Sequence, residues 1–250
     1  MATPDTYATG IERGPKVSEL IARRIVDEII STPLKPGDML RSETAMLEHY
    51  RVGRSSLREA LLLLEVLGLI NRKPGRKGGP VVGAVSASDF GSIATLYFRL
   101  GGITYRQLIE SRLILQPISA RLAAERRDPG LMATLTDLID RAAAVDLADD
   151  RAYLSIILEY QSAVTSVSGN PILSLFGQML GDIYSSRLAN AVAPPAKRAK
   201  ILETHNDIAN AILAGDGALA ESRARSHMEG TMKRLSKSLS GILDDVIEWE

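Results

Sequence analysis

The sequence predicts a mainly α protein built in two parts, the first closed by one small basic β-hairpin. Three observations predict it. Hydrophobic residues make up 45% of the chain and aromatics only 4%, so helices rich in Ala and Leu supply the core. Apolar residues recur at helical spacing along almost the whole chain, and strand-like pieces occur only in "GLIN" (68–71) and "PVVG" (80–83). Finally, a formal net charge of zero hides an asymmetry. Residues 16–83 carry 12 Lys/Arg against 8 Asp/Glu, and residues 84–250 carry 17 against 20. A basic first part and an acidic remainder point to different partners.

The segments read in order. Residues 1–15, "MATPDTYATGIERGP", lack the basic-then-apolar order of a signal peptide and read as a disordered arm. "VSELIARRIVDEII" has apolar residues at 17, 20, 21, 25, 26, 29 and 30, which is helical spacing. "TPLKPGDML" ends that helix with two prolines and a glycine. Ser42 can cap a short second helix, "SETAMLEHY". After the turn "RVGRSS", a third helix runs from about Arg54 to Leu67, with Ser56 and Glu59 matching a capping box. Leu57, Leu61, Leu64 and Leu67 face its core. "GLIN" and "PVVG" flank the polar "RKPGRKG", a hairpin pattern.

Helix, helix, turn, helix and basic hairpin is the outline of a winged helix-turn-helix over 16–83. The start of the third helix turns Arg54, Ser55, Ser56 and Arg58 outward, where an arginine can pair with guanine O6 and N7 in a major groove. The wing carries Arg76 and Lys77 towards phosphates or the minor groove, and its glycines, Gly78 among them, let backbone approach closely. A merely solvated charged face is the competing reading. The register of turn, helix and basic wing argues against it.

The stretch "LKPGDMLRSETAMLEHYRVGRSSLREALLLLEVLGLINRKPGRKGGPVV" resembles the N-terminal domain of GntR-family bacterial transcription regulators. The resemblance implies that Arg54, Arg58 and Gly78 contact double-stranded DNA. Three positions depart from the family pattern. Arg41 stands where a proline is usual, Gly53 where a serine is usual, and Thr44 where many members carry a DNA-contacting arginine. Arg41 is expected to supply that charge from a neighbouring position.

Residues 84–88 read as a linker, with Ser88 or Asp89 starting the next helix. From 89 to 240 every segment is helical, giving an all-α bundle of about six or seven helices. Thr104 caps a long helix to Arg127 that contains Pro117. Further helices span 131–145, 151–167, 171–191, 195–213 and 217–239, leaving 241–250 as a tail. "ESRLILQPISARLAAE", "SGNPIL", "THNDIANAILAGD" and "ARSHM" resemble the FCD effector domain of the FadR subfamily. That resemblance implies a divalent metal and a carboxylate effector in the bundle. Arg112 takes the position of the family's carboxylate-binding arginine, and His205 and His227 take two metal-ligand positions. The other two ligand positions, an Asp and a His at i and i+4, are Ile157 and Gln161. Two imidazoles and an amide make a poor zinc site. The expectation is therefore a metal-free pocket lined by Arg112, Ile157, Gln161, His205 and His227. It would hold a small anionic, partly apolar effector, with Gln161 and the two histidines donating hydrogen bonds.

The functional expectation is a homodimeric regulator on a short inverted repeat, a repressor released by an organic acid or acyl thioester. A metal-dependent carboxylate sensor of the same family is the alternative. An enzyme using His205 and His227 as acid and base is the reading from another class, but no nucleophile or paired-carboxylate motif accompanies them. With no cysteine, disulfides and thiolate metal sites are excluded. No apolar run reaches the roughly 20 residues of a membrane span. A cytoplasmic location fits both.

Overall fold

The structure, a computed structural model, describes residues 15–75, 78–84, 86–166, 170–187 and 193–249. The arm read over 1–15 lies, apart from Pro15, outside them, and so do Arg76 and Lys77 at the wing tip. The chain divides into two compact units, Met1–Val85 and Ser86–Glu250.

The first unit contains α1 (Val17–Ser31), α2 (Glu43–Tyr50), α3 (Arg54–Val66), β1 (Ile70–Lys73) and β2 (Gly79–Val82). Its core gathers Ile21 and Ile25 of α1, Met46 of α2, Leu57, Leu61 and Leu64 of α3, and Ile70 of β1. Each such aliphatic side chain contributes roughly 1.5–3 kcal/mol by leaving water. Ser42 caps α2 as the sequence predicts, its side chain accepting from the Ala45 N–H at 3.2 Å. The capping box expected at Ser56 and Glu59 does not form. Gly53, in an extended conformation, precedes the helix, so Ser56 already lies in its first turn. Glu59 instead faces Lys16, at 3.8 Å. Leu67, assigned to the core by its spacing, is 37% exposed because α3 has ended one residue earlier.

The hairpin is antiparallel, with Ile70 opposite Val82 and Lys73 opposite Gly79. A third extended piece joins it, unseen in the sequence pattern: Leu40 N–H donates to Pro80 O and Val82 N–H to Asp38 O, each at 2.9 Å.

The second unit is all helical among its described residues. Seven long helices are α4 (Ala87–Leu100), α5 (Tyr105–Arg126), α6 (Pro129–Ala144), α7 (Asp150–Ser166), α8 (Pro171–Arg187), α9 (Pro195–Ala214) and α10 (Gly217–Ser238), followed by the one-turn α11 (Ser240–Leu243). Thr104 and Gln107 form the cap of α5, and Pro117 is buried within that helix. Ser86, rather than Ser88 or Asp89, caps α4. Its hydroxyl accepts from the Asp89 N–H while the Asp89 carboxylate accepts in return. The linker is correspondingly shorter than 84–88. The segment read as a tail is packed: Leu243 and Ile247 are fully buried, and Ile247 N–H donates to Ile103 O at 2.9 Å. Two apolar cores result. Leu135, Leu138, Tyr160 and Ile212 belong to one, and Tyr105, Ile109, Met179 and Leu235 to the other.

Candidate functional site

In the first unit the candidate surface is the start of α3. Arg54 and Arg58 are exposed and one turn apart, so they share a face. Ser55 is exposed and Ser56 half-buried beside them. The opposite face, Leu57, Ala60 and Leu61, is wholly in the core. No acidic residue stands in the first turn, so the helix N-terminus adds its own positive potential. Among the described residues neither Arg54 nor Arg58 has an ion pair. Other basic residues of the unit do. Arg72 lies 3.2 Å from Glu65, and Arg41 donates from Nε to Glu28 at 2.8 Å. Tyr50 donates to the same carboxylate at 2.7 Å. That hydroxyl and Arg41 hold Glu28 below the usual carboxylate range. Arg41 is thus engaged inside its own unit, not standing free in Thr44's stead. Thr44 is exposed in the first turn of α2. At the wing, a side chain on Gly78 would meet the Lys73 carbonyl oxygen at 2.1 Å, so the turn demands glycine there.

In the second unit, α5, α7, α9 and α10 bring Arg112, Ile157, Gln161, His205 and His227 around one cavity, and α8 adds Tyr184. Arg112 is 3% exposed. Its Nη2 donates to Gln161 Oε1 at 2.7 Å, and its guanidinium lies 4.1 Å from the centroid of the Tyr184 ring. Its Nε–H is buried without a partner. Burial pulls the Arg112 pKa down to about 10, so it remains charged at neutral pH. His205 Nδ1 lies 2.9 Å from the Ile201 carbonyl oxygen. An oxygen of that kind only accepts, so Nδ1 carries the proton. His205 Nε2 then offers a lone pair, and it too is buried without a partner. This corrects the expectation that His205 donates into the pocket. Burial lowers the His205 pKa to about 4, and it holds His227 well below the ordinary imidazole value, with His205 and two arginines adding to the effect. The two imidazoles meet edge to face at 4.5 Å. Both are neutral.

Arg112 and Gln161 also border a neighbouring, larger cavity of about 300 Å³, whose walls include Gln116, Ser155, Gln178 and Asp182. Most of the residues that line it have polar side chains. The apolar wall is on the histidine side, where Ile157 is joined by Leu154 and Leu235. Sequence reading missed Tyr184, Thr231 and Arg234 in this wall. A signal for two of them existed: Thr231 and Arg234 follow His227 at i+4 and i+7, the same helical face.

Gln161 spends its amide oxygen on Arg112, and Ile157 has no ligand atom. Among the described residues no three His, Cys, Asp or Glu side chains group to hold a metal. The donor set does not fit the metal that the fold family implies.

Comparison with known proteins agrees with both units. Residues 17–77 match the family "Bacterial regulatory proteins, gntR family", and residues 107–230 match the FCD domain. The chain is 27% identical over 208 residues to the HTH-type transcriptional regulator LutR of Bacillus subtilis, covering 81% of this chain and 94% of that one. It is 28% identical over 235 residues to the Glc operon transcriptional activator of Escherichia coli, covering 90% of each. A solved Streptococcus agalactiae GntR structure shares the fold with a TM-score of 0.63. It is 24% identical and covers 86% of this chain and 99% of that one.

Proposed function

Because the chain belongs to the GntR family of bacterial regulatory proteins and carries an FCD domain, it is a DNA-binding transcription regulator, and we propose that a small organic anion bound beside Arg112 controls it. The observation that carries the proposal is the pair of orphaned polar atoms in one cavity wall, Arg112 Nε and His205 Nε2. A buried polar atom without a partner costs about 1–3 kcal/mol. A carboxylate accepts from Arg112, and a hydroxyl or protonated group on the same molecule donates to His205. The aliphatic wall at Ile157 takes the ligand's apolar part.

The protein acts as a homodimer on a short inverted repeat, with Arg54 and Arg58 of each protomer at the major groove and the wing on the adjacent backbone. Ligand shifts the balance between two arrangements of the paired DNA-binding units by binding one better than the other. We favour release of a repressor. The Escherichia coli relative, named an activator, supports the opposite sign as the second reading. The cavity works without a resident metal, as its donor set suggests. Chemistry at the histidine pair is disfavoured, since burial leaves both imidazoles weak bases and among the described residues no carboxylate orients either. Among the described residues no helix is long and apolar enough to cross a membrane, and a DNA-binding role fits the cytoplasm.

The test begins with selection of bound sequences from random DNA by the intact protein. Carboxylic acids are then titrated into the complex and followed by fluorescence anisotropy. A palindromic site whose complex dissociates with an acid supports the proposal, and tightening assigns the second sign. Failure of any acid to alter the complex refutes ligand control through this cavity. Native mass spectrometry of the dimer, purified without chelators, checks the metal. A bound zinc would restore the metal-dependent reading. The double variant Ile157→Asp with Gln161→His is expected to gain zinc affinity by calorimetry.

A further inference from the structure

We propose that Arg234 is a second anion-binding residue of this cavity and that the effector is a dianion. The inference rests on the cavity being the effector site. Arg234 lies on α10 and lines the cavity together with Arg112, Thr231 and His227. It is half-buried, and its Nη2 donates to Thr231 Oγ1 at 3.1 Å. Arg112 likewise spends its one hydrogen bond on a neutral acceptor, Gln161. Among the described residues no carboxylate pairs with either guanidinium.

A third arginine of the same unit gives the contrast. Arg198, also almost fully buried, is met by the Asp150 carboxylate and by the carbonyl oxygens of Leu147 and Ala193. Where this fold buries an arginine for structure, it supplies the counter-charge from its own chain. Among the described residues that line the cavity it supplies none, and two positive charges face the same space. The field they create reaches both histidines, whose protonation Arg112 and Arg234 each oppose. Uncompensated charge in a low-dielectric site is costly. A monocarboxylate relieves only one of the two arginines. A ligand with two negative charges relieves both, each through the paired N–H groups that guanidinium offers to carboxylate or phosphate. Two carboxylate groups or one phosphate monoester supply that charge, and the shared chemistry is the dianion.

The experiment is calorimetry on the intact protein with chain-matched pairs, butyrate against succinate and hexanoate against adipate, with inorganic phosphate and methyl phosphate as separate arms. At least one dianion is expected to bind about tenfold or more tighter than its monoanion partner, or than butyrate for the phosphates. Dicarboxylate preference places the two charges on separate groups, and phosphate preference places them on one. Arg234→Gln is expected to reduce that ratio to near one by weakening the dianion far more than the monoanion. Arg234→Lys restores part of it, and Arg112→Gln weakens both classes. Equal binding of both classes by the native protein overturns the proposal, as does a ratio unchanged in Arg234→Gln. Either result leaves the effector site standing. If no acid or phosphate binds, the reading of the cavity falls with the proposal. Circular dichroism of each variant checks that it is folded.

Discussion

Arg54 and Arg58 of α3 stand in water, while Arg112 of α5 is 3% exposed, and among the described residues none of the three has a carboxylate partner. The same chemistry carries different costs. An exposed guanidinium is hydrated and waits at little expense for a polyanion whose binding releases counterions. A buried one has given up its water and holds only an amide oxygen and the face of Tyr184. The first surface is therefore tuned by how many charges it presents, and the second by how much strain a ligand relieves. Mutations separate the two, because each should fail in its own observable.

The largest effect is expected at the cavity. Arg112→Met removes the charge and keeps the length of the side chain. Truncating one partner of a buried charged pair costs about 2–5 kcal/mol of binding, so affinity for the acid effector falls by at least an order of magnitude. Thermal stability changes little, since the lost hydrogen bond to Gln161 is offset by removal of an uncompensated buried charge. A calorimetric titration and a melting curve on the same sample decide. Collapse of the fold would make Arg112 a structural residue.

Next comes the DNA surface. Arg58→Ala should cost about 1–3 kcal/mol of operator affinity, measured by anisotropy at fixed salt, with no shift in melting temperature. Leu61→Ala, one turn along the same helix but with no exposed surface, should do the reverse and destabilise the fold by about 2–5 kcal/mol. If Arg58→Ala unfolds the unit, the division of α3 into a DNA face and a core face is wrong.

The two regions also respond differently to acid. His205, held near pKa 4, is neutral when folded but takes a proton below about 6.5 when unfolded. The unfolded chain then binds more protons, so stability is retained above that value and lost as the pH falls towards 4. The slope for one such group is about 1.4 kcal/mol per pH unit, and His227 adds to it in the same direction. Melting temperature should decline steadily from pH 6.5 to 4.5, and His205→Gln with His227→Gln should flatten the decline. An unchanged slope in that double variant would place the titrating groups elsewhere.

How much of this was legible in the sequence follows from the range of the interactions. The first unit is written locally. Helical spacing, the Ser42 cap and the glycine-rich turn each act within a few residues, and α1 to α3 appear where those signals put them, while the first hairpin strand runs on through Arg72 and Lys73, read as part of the connection. Errors there were local too, such as reading a cap at Ser56 when Gly53 had already let the helix start. The cavity depends on contacts far apart in the chain. Arg112 meets Gln161 across 49 positions, and Arg234 shares a wall with Leu154 and Arg112. No spacing rule on one helix shows which faces of five helices converge. The packed segment after Leu239 was missed for the same reason, because its partners, Ile103 and Tyr105, lie more than a hundred residues earlier.

The smallest expected effect concerns Arg41, assigned to DNA from its sequence position. Its side chain is 50% exposed and already bound to Glu28, which also holds Tyr50. An exposed pair of this kind is worth roughly 0–1 kcal/mol, so Arg41→Ala should scarcely alter stability. Its effect on DNA binding separates two states of the side chain. If Glu28 keeps it, operator affinity falls less than about threefold and the salt dependence is unchanged. If the guanidinium leaves Glu28 for a phosphate, affinity falls at all sequences alike and the slope of log affinity against log salt drops by about one. Glu28→Gln then becomes informative, since it frees Arg41 and should strengthen binding only in the second case. Arg58→Ala, measured on the same operators, gives the scale, because among the described residues its guanidinium has no ion-pair partner to leave.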